Sequence, residues 1–239
     1  MKSGAIKGMI FAAGLGTRLY PLTADRPKAL VEIQEITLLE RAIQKLIAAG
    51  IKDIVVNVHH FSEQIVTFLS AHQFDARIFI SDESERLLDT AGGLKYAESL
   101  LKDADHILLY NVDILSDINL ETMVDFHCKE EALATLAVRD RKTSRYFVFD
   151  KTSMQLCGWR HLGTEEEIIS RPVNNPIMLG FSGIHVINKT LFNLIPAGEK
   201  ISLTPLYVSW ASQHKIVGFN HTQDQWCDVG KYEDVIRMI

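Results

Sequence analysis

Apolar residues recur along this chain in two rhythms. Residues 8–12 (GMIFA) form a short continuous apolar run ending near glycines, the pattern of a buried strand that feeds a loop. Residues 38–49 space their apolar side chains as one helix face, with Thr37 placed to cap the start and Gly50 to end it in a left-handed conformation. The alternation continues with a strand at 53–58, a helix at 62–71 carrying Ile65, Phe68 and Leu69 on one face, and a strand at 77–81. A helix is predicted from Gly92 to about Leu101 and a strand at 106–110. Strands alternating with helices predict a parallel sheet covered on both faces. Ligands of such sheets bind beyond the carboxyl ends of the strands, so the loops after Ala12, Val58, Ser81 and Tyr110 are the ones to examine.

Beyond residue 118 the pattern is less regular. Residues 120–131 read as a helix, and 134–138, 145–150 and 156–159 as strands, the last two forming a hairpin around 151–154. The polar stretch 165–176 reads as a loop and 181–187 as a strand. Residues 190–195 and 203–213 read as helices, 216–220 as a strand, and a terminal helix starts near Lys231.

Composition narrows the class. The 239 residues suit one α/β domain, and a net charge of −5 argues against a general nucleic-acid binder while leaving room for a local anion site. The three cysteines, Cys128, Cys157 and Cys227, are odd in number and form no CxxC pair, which predicts buried free thiols in a reducing compartment. Lys7 interrupts the apolar start, and the run at 8–13 is too short for a signal sequence. No stretch approaches the length of a membrane span. A cytoplasmic protein that binds neither nucleic acid nor membrane, as a monomer or small homo-oligomer, is the expectation.

The segment Ala12-Ala13-Gly14-Leu15-Gly16-Thr17-Arg18 follows the first predicted strand. Glycines there allow close backbone approach and positive φ, and successive free N–H groups form a concave anion site. Arg18 and Lys28 add charge for phosphate oxygens. The loop is neither a Walker motif nor GxGxxG, since Leu19 occupies the third glycine position, and by spacing alone a plain strand-to-helix turn fits equally well. The longer string, Gly14-Leu15-Gly16-Thr17-Arg18-Leu19, then Pro21-Leu22-Thr23, then Arg26-Pro27-Lys28-Ala29-Leu30, resembles the sugar-1-phosphate nucleotidyltransferases.

Two further strings extend the resemblance. Asp113 follows the strand at 106–110, and Asp228 lies in Trp226-Cys227-Asp228-Val229-Gly230. Taken singly, each aspartate is an ordinary cap or turn residue. The family usually has Gly-Asp at the first site and a Trp-x-Asp-x-Gly-like string at the second, and both aspartates bind Mg²⁺. Here Val112 replaces the glycine, and a β-branched residue restricts the backbone and fills space near the nucleotide. Leu87-Leu88-Asp89-Thr90-Ala91-Gly92-Gly93 resembles the family's L-x-T-x-G-G loop beside the base, with Thr90 able to cap the following helix; an ordinary capped helix is the alternative.

The resemblance implies a Rossmann-like three-layer sandwich with a mixed, mostly parallel central sheet, the nucleotide-diphospho-sugar transferase fold. Its single domain would divide into a nucleotide half, 1–118, and a sugar-phosphate half, 119–239. It implies a catalytic Arg18 and Lys28, and nucleotide contacts from Ala12, Ala13, Gly14, Gly16, Thr17, Glu83, Thr90 and Gly92, with Glu83 accepting from a base N–H. Asn57, Arg145, Asn174 and Gly183 would contact the sugar phosphate, and Asp113 and Asp228 the metal. Adjacent His59 and His60 suggest zinc, but neighbours in a strand point to opposite faces, so a polar pocket wall is the better reading. The implied reaction joins UTP or GTP to a sugar 1-phosphate. The length is near that of short members such as the N-acetylmuramate-1-phosphate uridylyltransferases and mannose-1-phosphate guanylyltransferases. Transfer to phosphocholine or a cyclitol phosphate, and a non-catalytic nucleotide sensor, are the alternatives; the glycine spacing disfavours a dinucleotide oxidoreductase.

Overall fold

The computed structural model describes residues 4–236. The chain runs through β1 (Ile6–Phe11), the ribbon β2 (Glu32–Ile33) and β3 (Ile36–Thr37), α1 (Leu38–Ala48), β4 (Asp53–Val58), α2 (Ser62–Ala71) and β5 (Arg77–Asp82). It continues through α3 (Asp89–Tyr96), α4 (Glu98–Leu101), β6 (His106–Asn111), β7 (Ile114–Ser116) and α5 (Leu120–Glu130). Next come β8 (Ala134–Arg139), β9 (Arg145–Asp150), β10 (Leu156–His161), β11 (Glu166–Ile169) and β12 (Pro176–Asn188). The last elements are α6 (Leu203–Trp210), β13 (Ile216–Asn220), β14 (Trp226–Asp228) and α7 (Tyr232–Ile236).

β1 lies between β4 and β6 and is parallel to both, with β5 parallel beyond β4. β12 pairs antiparallel with β6 and with β8, and β13 pairs parallel with β8. This central sheet is mixed and mostly parallel. A wing, β9–β10–β11, leaves β12 with every pairing antiparallel.

The alternation of apolar residues builds the three layers. Met9, Val55, Ile107 and Leu109 enter one buried cluster with α3, α4 and α6. Their neighbours Ile10, Ile54, Val56, Leu108 and Tyr110 enter the other, with α1, α2 and α5. Successive strand residues point to opposite faces, so a continuous apolar run is what a doubly covered strand requires. Thr37 caps α1 by accepting from the Glu40 N–H at 3.1 Å, and Gly50 beyond its end has φ 76°.

Several boundaries differ from the sequence pattern, among them the end of α6 at Trp210 rather than 213. The stretch 165–176 contains β11, and β12 begins at Pro176 rather than 181. All four residues of β11 are exposed, so no alternation marks it; the backbone ladder with β10 makes it a strand. The helix expected from Gly92 begins at Asp89 and is interrupted at Ala97, and residues 189–194 form a 3-10 helix. Among the described residues no helix is long and apolar enough to cross a membrane. All three cysteines are free thiols; Cys157 is buried, but Cys128 and Cys227 are half-buried at helix and ribbon positions.

Candidate active site

The carboxyl ends of β1, β4 and β6 converge on one edge of the sheet. The N-terminal loop leaves β1 there and makes two 3-10 turns, Thr17–Leu19 and Lys28–Leu30, which carry Arg18 and Lys28. Gly16 precedes the first turn at φ 68°, and the Thr23 hydroxyl donates to its carbonyl at 3.0 Å. A side chain at Gly16 would also press on Thr23 and Lys28. Gly14, Leu15 and Gly16 have N–H groups with no partner in the chain, among the described residues. The Ala12 and Ala13 N–H groups, expected to be free for an anion, instead donate to Asn57 Oδ1 at 2.7 and 3.3 Å.

The ribbon of β7 and β14 brings the two aspartates together. Asp228 lies opposite Ile114, next to Asp113, and the Val229 N–H donates to the Asp113 carbonyl at 2.9 Å. Tyr110 locks the turn from within by donating its hydroxyl to the Ile114 carbonyl at 2.9 Å. Gly230 measures the convergence: a methyl group placed on it would lie 2.7 Å from Asp228 Oδ1, 2.9 Å from Asp113 Oδ2 and 3.0 Å from Arg18 NH2. Lys28 Nζ forms an ion pair with Asp113 Oδ2, both side chains being largely buried. Four residues spread over two hundred positions thus share one spot.

Val112 is 3% exposed and packs in the core cluster with Ile10 and Ile114, so it does not fill space near the site as its replacement of glycine suggested. Its side chain is buried in that cluster, while the Asp113 carboxylate next to it reaches Lys28 and the Gly230 turn.

Several expected contacts are taken by the chain itself. Thr90 does not cap α3; its hydroxyl accepts from the Leu203 N–H at 2.9 Å, at the start of α6. Gly92 admits a close backbone, but it is the chain's own: the Glu199 carbonyl abuts it, and the Ala91 and Gly92 N–H groups donate to the Ile201 carbonyl. Glu83 is buried, accepting at Oε1 from Asn57 Nδ2 at 2.8 Å, with Oε2 unpartnered. Burial pushes its carboxyl above the ordinary glutamate range, offset in part by the Asn57 bond. Asn57, expected at the sugar phosphate, is therefore a buried brace between the first loop and Glu83. His59 Nδ1 bonds the Glu83 carbonyl and His60 packs on Phe61; neither lines the cleft described next. Asn174 is exposed before β12, at the far end of that strand from the aspartates, and does not line the cleft.

A cleft of about 1050 Å³ opens from the aspartates toward the wing. Arg18, Asp113, Arg145, Gly183 and Asp228 line it, with Arg141, Lys142, Trp159, Phe181, Trp226 and Lys231. Gly183 has φ 75° at a bulge in β12, where a side chain would meet Ile114 and Asn111. Arg141, which no sequence motif marks, donates to the Phe181 carbonyl at 3.1 Å and stacks 4.8 Å above the Trp226 ring. Trp226 is held in turn by donating Nε1 to the Ser182 carbonyl at 2.9 Å. Burial pulls the Arg141 guanidinium below its ordinary value, and nearby Asp228 opposes this.

The profile of the nucleotidyl transferase family matches residues 7–239. A mannose-1-phosphate guanyltransferase of Yarrowia lipolytica is 30% identical over 235 residues, 97% of this chain but 62% of the relative. An N-acetylmuramate alpha-1-phosphate uridylyltransferase of Caulobacter vibrioides is 44% identical over 108 residues, 44% of each chain. The chain thus spans less than two thirds of the length of these curated relatives. HddC of Yersinia pseudotuberculosis, solved with GMP-PN, superposes with a TM-score of 0.75 at 16% identity, over 98% of this chain and 97% of its own.

Proposed function

The chain belongs to the nucleotidyl transferase family, and from that premise we propose that it transfers a nucleotidyl group from a nucleoside triphosphate, UTP or GTP, to a sugar 1-phosphate. The observation that carries this reading is the meeting of Arg18, Lys28, Asp113 and Asp228 at Gly230. An oxygen of the acceptor phosphate attacks the α-phosphorus, the bond to the bridging oxygen breaks, and pyrophosphate leaves with that electron pair. The nucleophile is already anionic, so the site needs no general base; it supplies position and charge. Free N–H groups at Gly14 and Gly16, and the adjoining Thr17, would receive the triphosphate, and Arg18 and Lys28 the charge that grows on its oxygens. On this reading residues 1–118 serve the nucleotide and 119–239 the acceptor, which Arg141, Arg145 and the bulge at Gly183 would hold.

The two carboxylates suit a hard divalent cation. Both offer oxygen only, both approach one point beside Gly230, and no third acidic, His or Cys ligand joins them among the described residues. Mg²⁺ is typically bound by one or two carboxylates with the remaining positions left to water and phosphates. Asp113 and Asp228 would hold it, and when bound it neutralises charge on the α-phosphate and leaving pyrophosphate.

Pyrophosphate release across the four common ribonucleoside triphosphates and a panel of sugar 1-phosphates tests the reaction. Phosphocholine and cyclitol phosphates in the same panel test the rival acceptors, and nucleotide binding without release under every condition would mark a sensor. Lys28→Ala is expected to lower kcat by about a hundredfold or more, in line with the loss of a preorganised transition-state donor. Unchanged release would remove Lys28 from the mechanism.

A further inference from the structure

Of the residues lining the large cleft, Arg18 alone precedes Asn111, so the cavity belongs to the acceptor side of the proposed reaction. At about 1050 Å³ it reaches the upper end of the range, roughly 300–1,000 Å³, that encloses drug-sized ligands, and has room for more than a bare hexose phosphate. Phe147, Trp159, Ile168, Pro205 and Val208 give it an apolar floor suited to a sugar ring face.

Its cations are arranged in two places. Arg141 is tied to the Phe181 carbonyl and the Trp226 ring within the electrostatic reach of Asp228, beside the transfer point. Its Nε is buried and unpartnered. Lys142 and Arg145 stand farther out, where the chain enters β9, with the hydroxyls of Thr143 and Ser144 between them. Neither forms an ion pair among the described residues. Outside the cleft some cations sit against a carboxylate, such as Lys52 and Arg77, and others, such as Arg86, Lys102 and Lys151, do not among the described residues, so it is the grouping in one cleft that sets Lys142 and Arg145 apart. Glu166, opposite His161 in the β10–β11 ladder, is the cleft carboxylate on this side. Five cations without an ion-pair partner among the described residues line this cleft, Lys142 and Arg145 among them, against three carboxylates, Asp113, Glu166 and Asp228. In a chain with more acids than bases, this leaves a positive pocket that its own residues do not neutralise.

We propose that the acceptor carries a second anionic group besides its 1-phosphate, and that Lys142 and Arg145 receive it. The inference rests on the nucleotidyl-transfer reading. Arg141 and the aspartate end of the cleft account for the reacting phosphate, and the outer pair for a carboxylate or second phosphate on the sugar. Arg145 presents a planar fork for two oxygens, and Lys142 adds a point charge.

The test measures kcat/KM for pyrophosphate release with one saturating nucleotide and four acceptors. Glucose 1-phosphate lacks the second anion. Glucuronate 1-phosphate carries a ring carboxylate, N-acetylmuramate 1-phosphate a side-arm carboxylate, and glucose 1,6-bisphosphate a second phosphate. At least one acidic acceptor is expected to exceed glucose 1-phosphate by about tenfold or more, the value of one charged hydrogen bond. Arg145→Gln and Lys142→Gln are each expected to shrink that ratio, mainly through KM, and Arg145→Lys to keep part of it. Equal or better use of the neutral sugar, or a preference that survives in the double Gln variant, overturns the inference while leaving nucleotidyl transfer standing. Absence of release with every acceptor overturns both.

Discussion

Asn57 shows how one side chain can serve a site it does not face. Its amide accepts from the Ala12 and Ala13 N–H groups and donates to Glu83, tying the first loop to the segment after β5. Replacing it with Ala leaves two buried N–H groups without an acceptor, each costing about 1–3 kcal/mol. Asn57→Ala is therefore expected to lower the urea midpoint and raise the KM for nucleotide, with a smaller effect on the KM for acceptor. An equal rise in both would reduce Asn57 to a general stabiliser. The sequence places Asn57 after a strand at the functional edge, and that much is legible. Its burial is not, because strand position alone does not say whether an amide faces a ligand or a neighbouring loop. Val112 teaches the same at smaller scale: the departure from glycine is visible, but only the turn geometry shows that the side chain points into the core.

At the level of elements, the β7–β14 ribbon decides whether the aspartates act together. Gly230 is where the ribbon closes over them. Gly230→Ala would force a methyl group among Asp113, Asp228 and Arg18, and the first two belong to short, tightly bonded turns. Turnover is expected to fall by about a hundredfold, as misplacement of roughly 1 Å can produce, with a thermal midpoint close to the parent's. A variant with parental turnover would mean that the three side chains need not share that point. The parallel strands β1, β4, β5 and β6 were legible because burial on both faces leaves an unbroken apolar run. β11 was not, since Glu166-Glu167-Ile168-Ile169 has neither alternation nor burial. The Asp113 and Asp228 strings were legible only as strings: their pairing depends on a ribbon whose strands lie more than a hundred residues apart.

For the molecule as a whole, buried histidines govern acid stability. His185 bonds Tyr207, His127 lies between Thr135 and His106, and His221 bonds Ser182. Burial lowers the first two to about 3 and the third to about 4. Each is neutral in the folded chain at pH 5 but takes a proton in the unfolded chain near 6.5. Their stabilising contribution is complete above pH 6.5 and declines as pH falls toward the folded values. Each adds a slope approaching roughly 1.4 kcal/mol per pH unit below 6.5. Urea midpoints are expected to drop between pH 7.5 and 5, and a flat profile would show that these imidazoles are not held neutral. The charge balance of the whole chain is plain in its composition; that Arg18, Arg141, Lys142, Arg145 and Lys231 line one cleft emerges only from the fold.

β12 carries one more consequence. It is a single strand of thirteen residues, roughly 40 Å if fully extended, bonded to the wing at its start and to β6 at its end. The wing and the parallel sheet are thus joined through one strand, whose middle residues Phe181, Ser182 and Gly183 line the cleft. The two pairings meet at the Gly183 bulge, which is where the strand bends. The angle between the wing and the parallel sheet is thus fixed at one residue, Gly183, which also lines the cleft, so the shape of the cleft and the alignment of the two regions depend on the same turn of backbone.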